Sequence, residues 1–219
     1  MIAAQEMNLL QMIFSGSWIG VGVMLLLLIL SMASLYFIVD HFLTIRQQRM
    51  FPESQLNELE QLIAAKKIDE AIDFCYQREH DSMAGRVIGA GLQRYRNSQF
   101  GFAEYRAAVE EAGADETSKL FRRTEVLATI AAVAPMLGLT GTVVGMIEAF
   151  MTIANQESAA QAQDLAGGIG QALVTTLMGL AIAMPTMVAC NYFRHKIDAI
   201  VSVAGNRIEH IMLPLGKKR

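Results

Sequence analysis

Three stretches of this chain, residues 18–39, 126–151 and 165–193, are long apolar blocks without a single Lys or Arg. About 20 apolar residues are what an α-helix needs to cross the hydrocarbon of a bilayer. A chain that carries three such blocks is constrained to bury them in lipid, where only helices and closed barrels satisfy the backbone. No strand alternation and no internal repeat accompanies the blocks, so helices are the expected solution. Charge supports this by its distribution. Charged residues make up only 18% of the chain and hydrophobic ones 53%, yet the stretch 46–123 is ordinarily polar. The sequence therefore predicts an all-α integral membrane protein with three transmembrane helices and one sizeable aqueous segment.

Orientation follows from the cations. All 18 Lys and Arg residues lie between the first and second blocks or after the third. Arg46 and Arg49 follow the first block, Lys119, Arg122 and Arg123 precede the second, and Arg194 and Lys196 follow the third. The positive-inside rule places the large loop and the C-terminus in the cytoplasm and the N-terminus and the short second loop on the other side. Trp18 and Tyr36 fit the aromatic belts at the ends of the first span, which Asp40 and His41 are expected to close. The expected layout is an external segment 1–17 with a short amphipathic helix around Met7 to Phe14, span one at 18–39, a cytoplasmic helical domain at 40–125, span two at 126–151, a short external loop at 152–164, span three at 165–193, and a cytoplasmic tail at 194–219. The first Lys or Arg is Arg46, so the N-terminus lacks the basic region of a secretory signal.

Within 40–125 the apolar residues recur at helical spacing. Pro52-Glu53-Ser54 starts a helix carrying Leu56, Leu59, Leu62 and Ile63. A second amphipathic run holds Ile68, Ile72 and Cys75, and Asp81-Ser82 caps a third with Val87, Ile88 and Leu92. Helical patterning resumes at Glu104 and runs to Arg123, so the second and third spans are expected to extend as long helices into the cytoplasm.

Several classes of function are excluded. A net charge of −3 gives no reason to propose nucleic-acid binding. Cys75 and Cys190 form no CxxC pair and no metal spacing, and no phosphate-binding loop, nucleophile elbow or dinucleotide fingerprint is present. Neither an enzyme nor a cofactor site is expected.

The chemistry lies in the last two blocks. Gly138, Thr142, Gly145 and Ala149 share one helical face, Gly141 and Gly145 form a GxxxG, and Ala172, Thr176, Gly179 and Ala183 form a second small-residue stripe. Such stripes let membrane helices approach closely, which is a packing role for Gly138, Gly141, Gly145 and Gly179. Pro135 and Pro185 interrupt the two spans and are tolerated there. On the packing reading the threonines simply bond their own i−4 carbonyls; on the alternative reading Thr142, Thr175 and Thr176 line an ion pathway. Glu148 and Gln171 point further, because ionisable and polar groups within a membrane mark functional sites. In an antiparallel pair Glu148 lies about 9 Å outward of Thr142, and Gln171 about 7.5 Å outward of Thr176. A carboxylate and a carboxamide thus sit one layer outside a threonine layer, a polar column suited to a proton or cation path. A glutamate in the interfacial headgroup region is the plainer account of Glu148. Three spans enclose such a path poorly, so oligomerisation is expected.

The run Ala134-Pro135-Met136-Leu137-Gly138-Leu139-Thr140-Gly141-Thr142-Val143, with Gly145-Met146-Ile147, and the run Gly168-Ile169-Gly170-Gln171-Ala172-Leu173-Val174-Thr175-Thr176-Leu177-Met178-Gly179-Leu180, with Pro185, resemble the MotA/TolQ/ExbB proton-channel family. The three-span layout is similar to its ExbB and TolQ branch. The resemblance implies a bacterial inner-membrane protein with periplasmic N-terminus, a homopentamer around an ExbD- or TolR-like single-span partner with a membrane aspartate, and a TonB- or TolA-like protein downstream. It implies that the complex uses the proton motive force for work across the envelope, and that Thr142 and Thr176 face the partner's aspartate. Where enterobacterial members carry a glutamate, this chain has Gln171, and Glu148 is the candidate to replace it. Alternatives are a non-conducting membrane scaffold and a sodium-driven stator of the same family.

Overall fold

A computed structural model describes residues 18–77, 82–97, 101–155 and 162–216. Every regular element among them is a helix: α1 Trp18–Thr44, α2 Gln47–Met50, α3 Glu53–Ala64, α4 Ile68–Tyr76, α5 Met83–Asn97, α6 Phe102–Asn155 and α7 Ala162–Gly216. Three of them, α1, α6 and α7, are long and apolar enough to cross a membrane. The protein is an all-α integral membrane protein whose second and third spanning helices each continue far beyond the bilayer. The segment around Met7 to Phe14 lies outside the described residues.

The chain divides into two compact units. The first joins the described residues up to Val39 with Val126–Cys190. Here the three spans meet in a buried cluster of Val23 and Leu27 from α1, Ile130 and Ala134 from α6, and Ile182 and Ala183 from α7, with Leu30, Ala33, Phe37 and Leu137 packed around it. Most other large apolar side chains of these segments, among them Leu28, Met32, Met136, Leu139, Leu173, Leu177 and Val188, are exposed on the single chain. Apolar side chains facing outward suit lipid or a further subunit.

The second unit joins Asp40–Glu125 with Asn191–Arg219. Its core is amphipathic packing of the ordinary aqueous kind: Leu56, Leu59 and Ile63 of α3, Ala71, Ile72 and Cys75 of α4, Val87, Ile88 and Leu92 of α5, with Ile197, Ile208, Ile211 and Met212 of α7, all buried. Ser82 caps α5, its Oγ accepting the Gly85 N–H at 3.0 Å. Arg207 of α7 donates to Asn57 Oδ1 and Glu60 Oε2 of α3 at 2.9 and 3.1 Å. Arg86 of α5 pairs with Glu116 of α6 at 2.7 Å.

Three expected boundaries differ. Asp40 and His41 do not close α1, which runs on to Thr44. His41 is buried with its ring 5.5 Å from that of Phe193. The α6 helix persists to Asn155 and α7 begins at Ala162, so helix occupies both ends of the expected 152–164 loop. Hydropathy marks where lipid contact ends, whereas the i→i−4 ladder ends only where the backbone turns. Nor do Pro135 and Pro185 interrupt their helices, since each costs one ladder bond within otherwise continuous turns.

Candidate functional site

The second and third spans pack antiparallel along a seam of small residues. On α6 the seam is Ala134, Gly138, Gly141, Gly145 and Ala149; on α7 it is Gly168, Ala172, Thr175 and Gly179. A methyl placed on Gly138 would lie 3.0 Å from both Thr175 O and Thr176 Cα. One on Gly179 would lie 2.6 Å from Ala134 O, and one on Gly145 2.9 Å from Ala172 Cβ. At Gly141 it would meet Thr175 Oγ1 at 2.5 Å. At Gly138 and Gly179 backbone meets backbone, whereas at Gly141 and Gly145 the bare backbone receives the side chains of Thr175 and Ala172, approaches that glycine permits.

The centre of the seam is displaced by one residue from the expected stripes. Gly141 rather than Thr142 faces α7, and Thr175 rather than Thr176 sits deepest between the helices, almost fully buried. Adjacent faces of these spans are both rich in small residues, so spacing alone does not choose between them. Closest approach does: the Thr175 side chain seats against the bare backbone of Gly141, and Gly138 and Gly179 let the two backbones meet beside it.

This displacement sorts the candidate residues. At about 100° per residue, Thr142 lies about 60° to one side of Gly145, and Glu148 about 60° to the other. On α7, Thr176 lies about 60° from Gly179 and Gln171 about 60° from Gly168, again on opposite sides. Because the helices are antiparallel, Thr142 and Thr176 fall on one flank of the seam, and Glu148 and Gln171 on the other. The second flank belongs to α1: Glu148 is five turns from Ile130 on the same face, and Gln171 about three turns from Ile182. Both isoleucines pack in the cluster with Val23 and Leu27. Thr142 and Thr176 thus share one flank. The fold does not carry Glu148 or Gln171, both half-buried, to the threonine flank.

Hydrogen bonds fix the threonines. Thr142 Oγ1 donates to Leu139 O at 2.7 Å, three residues back. Thr175 Oγ1 donates to Ala172 O at 2.6 Å and lies 3.2 Å from Gly138 O across the seam. Thr176 Oγ1 donates across the seam to the same Gly138 O at 3.0 Å. The expected i−4 bonding is found instead at Thr140, to Met136 O, and at Thr186, to Ile182 O.

A second polar tie between spans had not been anticipated. Ser34 of α1 and Thr186 of α7 are buried and 2.6 Å apart. Thr186 gives its proton to Ile182 O, so Ser34 is the donor to Thr186. The signal available in the sequence was a hydroxyl inside each of two apolar blocks, which is common enough to pass unremarked.

In the second unit, α5, α6 and α7 border an open cavity of about 690 Å³ lined by Phe51, Val87, Tyr105, Phe121, Ile208 and Met212 among others. Gly113 and Gly205 border it with open space where a side chain would be. Among the described residues no group of His, Cys, Asp and Glu is arranged to hold a metal ion.

A three-span bundle with a glycine-packed, threonine-bearing seam between two helices that run on beyond the bilayer defines a class of polytopic membrane protein rather than a soluble catalyst. Comparison with known sequences narrows the class. The chain belongs to the MotA/TolQ/ExbB proton channel family, whose model matches residues 79–205. It falls in the ExbB and TolQ branch. An ExbB-like biopolymer transport protein of Synechocystis sp. is 40% identical over 92 residues, 42% of this chain and 44% of that protein. The Tol-Pal system protein TolQ of Haemophilus influenzae is 39% identical over 94 residues, 43% of this chain and 41% of that protein. The biopolymer transport protein ExbB of Salmonella typhimurium is 29% identical over 174 residues, 76% of this chain and 69% of that protein. The matches to the first two thus span less than half the length of either relative.

Proposed function

We propose that this chain is the ion-conducting, non-enzymatic subunit of a bacterial inner-membrane complex that uses the proton motive force to do work across the envelope. The observation that carries this reading is the pairing of Thr142 and Thr176 on one flank of the α6–α7 seam, facing away from α1. Thr142 is buried and Thr176 half-buried, each bonded to a carbonyl of the bundle, so the small-residue flank they share is where a partner helix would come closest to a hydroxyl. The partner of this reading is an ExbD- or TolR-like single-span protein with a membrane aspartate, within a homo-oligomer of this chain, a pentamer by family resemblance, coupled to a TonB- or TolA-like protein. The N-terminus is periplasmic and the C-terminus cytoplasmic, supported by the confinement of all Lys and Arg to one side. Thr175 and the seam glycines hold the register that presents Thr142 and Thr176. Glu148 and Gln171, on the α1 flank, are no part of that path.

The test is ion flux. The chain is co-expressed with its single-span partner, reconstituted in liposomes and subjected to a potential while internal pH is recorded. Acidification by the wild type that is lost in Thr142→Val, with the complex still assembled, supports the threonine flank as the path. Undiminished flux in the variant removes Thr142 from it. A wild type that moves neither protons, by internal pH, nor sodium, by an internal sodium indicator, favours the scaffold reading, in which the seam hydroxyls serve packing alone.

A further inference from the structure

The cations of the second unit are not all neutralised in the same way. Lys67, Arg86, Arg94, Arg96, Lys119 and Arg207, away from the apolar blocks, each pair with a carboxylate. Arg46 and Lys196, which follow the first and third blocks, make no ion pair among the described residues. Lys196 is held by rings instead. Its Nζ lies 5.4 Å from the centroid of Phe42 on α1 and 5.7 Å from that of Tyr192, one turn back on α7. A cation within about 6 Å of a ring face is attracted to it, so an ammonium on a flexible stem is fixed between the ends of two helices. Both rings are half-exposed. Phe42 and Lys196 each stand three residues past an apolar block, about 4.5 Å at helical rise. That is the level at which the headgroups of a leaflet begin, just outside the hydrocarbon. Arg46, exposed, follows Phe42 by four residues in the turn that leads into α2, where its carbonyl accepts the Met50 N–H at 3.2 Å.

We propose that Phe42, Tyr192, Lys196 and Arg46 form a binding site for one anionic phospholipid of the leaflet that meets the cation-bearing ends of the spans. An ammonium owns three N–H donors and no lone pair. The two rings occupy one side of it and offer no oxygen, so its remaining donors are left for an acceptor from outside the protein. A phosphodiester at headgroup level supplies that acceptor, and basic pockets between spanning helices are where anionic headgroups seat. The first acyl carbons then lie along the exposed faces of Phe42 and Tyr192. Net charge decides which phospholipid the site takes. A choline or ethanolamine headgroup brings its own cation, which meets Lys196 and Arg46 as a like charge, and the ring faces that could hold it are already taken by Lys196. A glycerol headgroup brings none and keeps the phosphate's negative charge uncompensated. The nearest acids in sequence are turned away: Asp40 lies two residues from Phe42 and Asp198 two residues from Lys196, each about 200° round its helix. The site uses no residue of the threonine flank and does not depend on whether the chain conducts.

The test is lipid quenching of a single tryptophan in the full chain reconstituted in vesicles. Tyr192→Trp in a Trp18→Phe background is the reporter, because Trp18 is the chain's one tryptophan and an indole holds a cation at least as well as a phenol. Vesicles contain brominated phosphatidylglycerol diluted in phosphatidylcholine, or the reverse. Quenching in excess of the mole fraction measures the preference for one lipid beside the reporter. Phosphatidylglycerol is expected to be preferred, and Lys196→Gln to lower the preference about fivefold, the worth of one cation at an anionic headgroup. Lys196→Arg should retain it. Phe42→Leu keeps every charge but releases the ammonium, and should lower the preference about twofold. Equal quenching by the two lipids overturns the proposal, as does a preference that survives Lys196→Gln. A preference unchanged in Phe42→Leu, or lowered as much by Arg122→Gln at the end of the second block as by Lys196→Gln, overturns it too, because the attraction is then diffuse surface charge and not a built site. Release of the quenching lipid by millimolar inorganic phosphate would show a site for the free anion in place of the lipid.

Discussion

Replacing Gly179 by alanine tests whether backbone contact at the seam governs the membrane unit. The added methyl would lie 2.6 Å from Ala134 O and 3.2 Å from Gly138 Cα. Both obstacles are backbone atoms of α6, so no rotamer change relieves the clash and the helices must separate. Ordinary van der Waals distance is about 3.5 Å, so the separation needed is of the order of 0.5–1 Å. Overpacking of a close-packed core costs about 1–3 kcal/mol. Separation also strains the bonds from Thr175 and Thr176 to Gly138 O, each worth about 0.6 kcal/mol as an average interhelical bond in a membrane. Alanine regains up to about 1 kcal/mol of helix propensity. The net loss is about 2 kcal/mol, which for a chain of this size is a fall in Tm of about 4–8 °C. Gly205→Ala is the matched control: the same substitution in the same helix, at a glycine with nothing within 4 Å, bordering the cavity of the second unit. It should leave Tm unchanged or raise it slightly. The assay is thermal unfolding of the detergent-solubilised protein followed by circular dichroism. Equal Tm values for the two variants would refute the reasoning, because propensity alone would then explain both.

The Ser34–Thr186 bond should show a coupling of about 0.6 kcal/mol in a double-mutant cycle of Ser34→Ala and Thr186→Val, and an additive cycle would mean that the two hydroxyls do not act on each other. Glu116 supplies a pH dependence. Burial pushes its carboxyl upward, but hydrogen bonds from Arg86 and Lys119 outweigh this and hold it below the usual range. A carboxylate with depressed folded pKa contributes stability that is present above its unfolded value and lost as the pH falls through the folded one. The wild type should therefore lose stability more steeply than Glu116→Gln on acidification below about pH 4.5, and parallel curves would count against the pairing. Burial pushes the Cys75 thiol up to about 12. In a Cys190→Ala background, alkylation at pH 8 should proceed only as fast as the second unit opens, at least tenfold slower than in denaturant; comparable rates would show the site to be open.

Much of this architecture was legible from residue chemistry alone. Three lysine- and arginine-free blocks demand a bilayer, and within one only helices satisfy every peptide group, so the all-α membrane fold followed without knowledge of any contact. The helices of the aqueous region were equally readable, because the period of Leu56, Leu59 and Ile63 is a local property of one element. Glycine at 138, 141, 145 and 179 announced that two helices approach closely, and Ser82 announced a cap.

Which residue faces which was decided only by the tertiary structure. A small-residue stripe and its neighbour 100° away look alike in sequence, and the choice between Thr175 and Thr176 depends on where two backbones come nearest. That one-residue difference decides that Thr142 and Thr176 share a flank, and that Glu148 and Gln171, matched to them in depth, are turned toward α1. Depth follows from counting residues along one helix; azimuth requires the second helix to be in place. The direction of each threonine's proton is decided in the same way, since Gly138 O lies 38 residues from Thr176 in sequence and becomes its acceptor only when α6 and α7 meet.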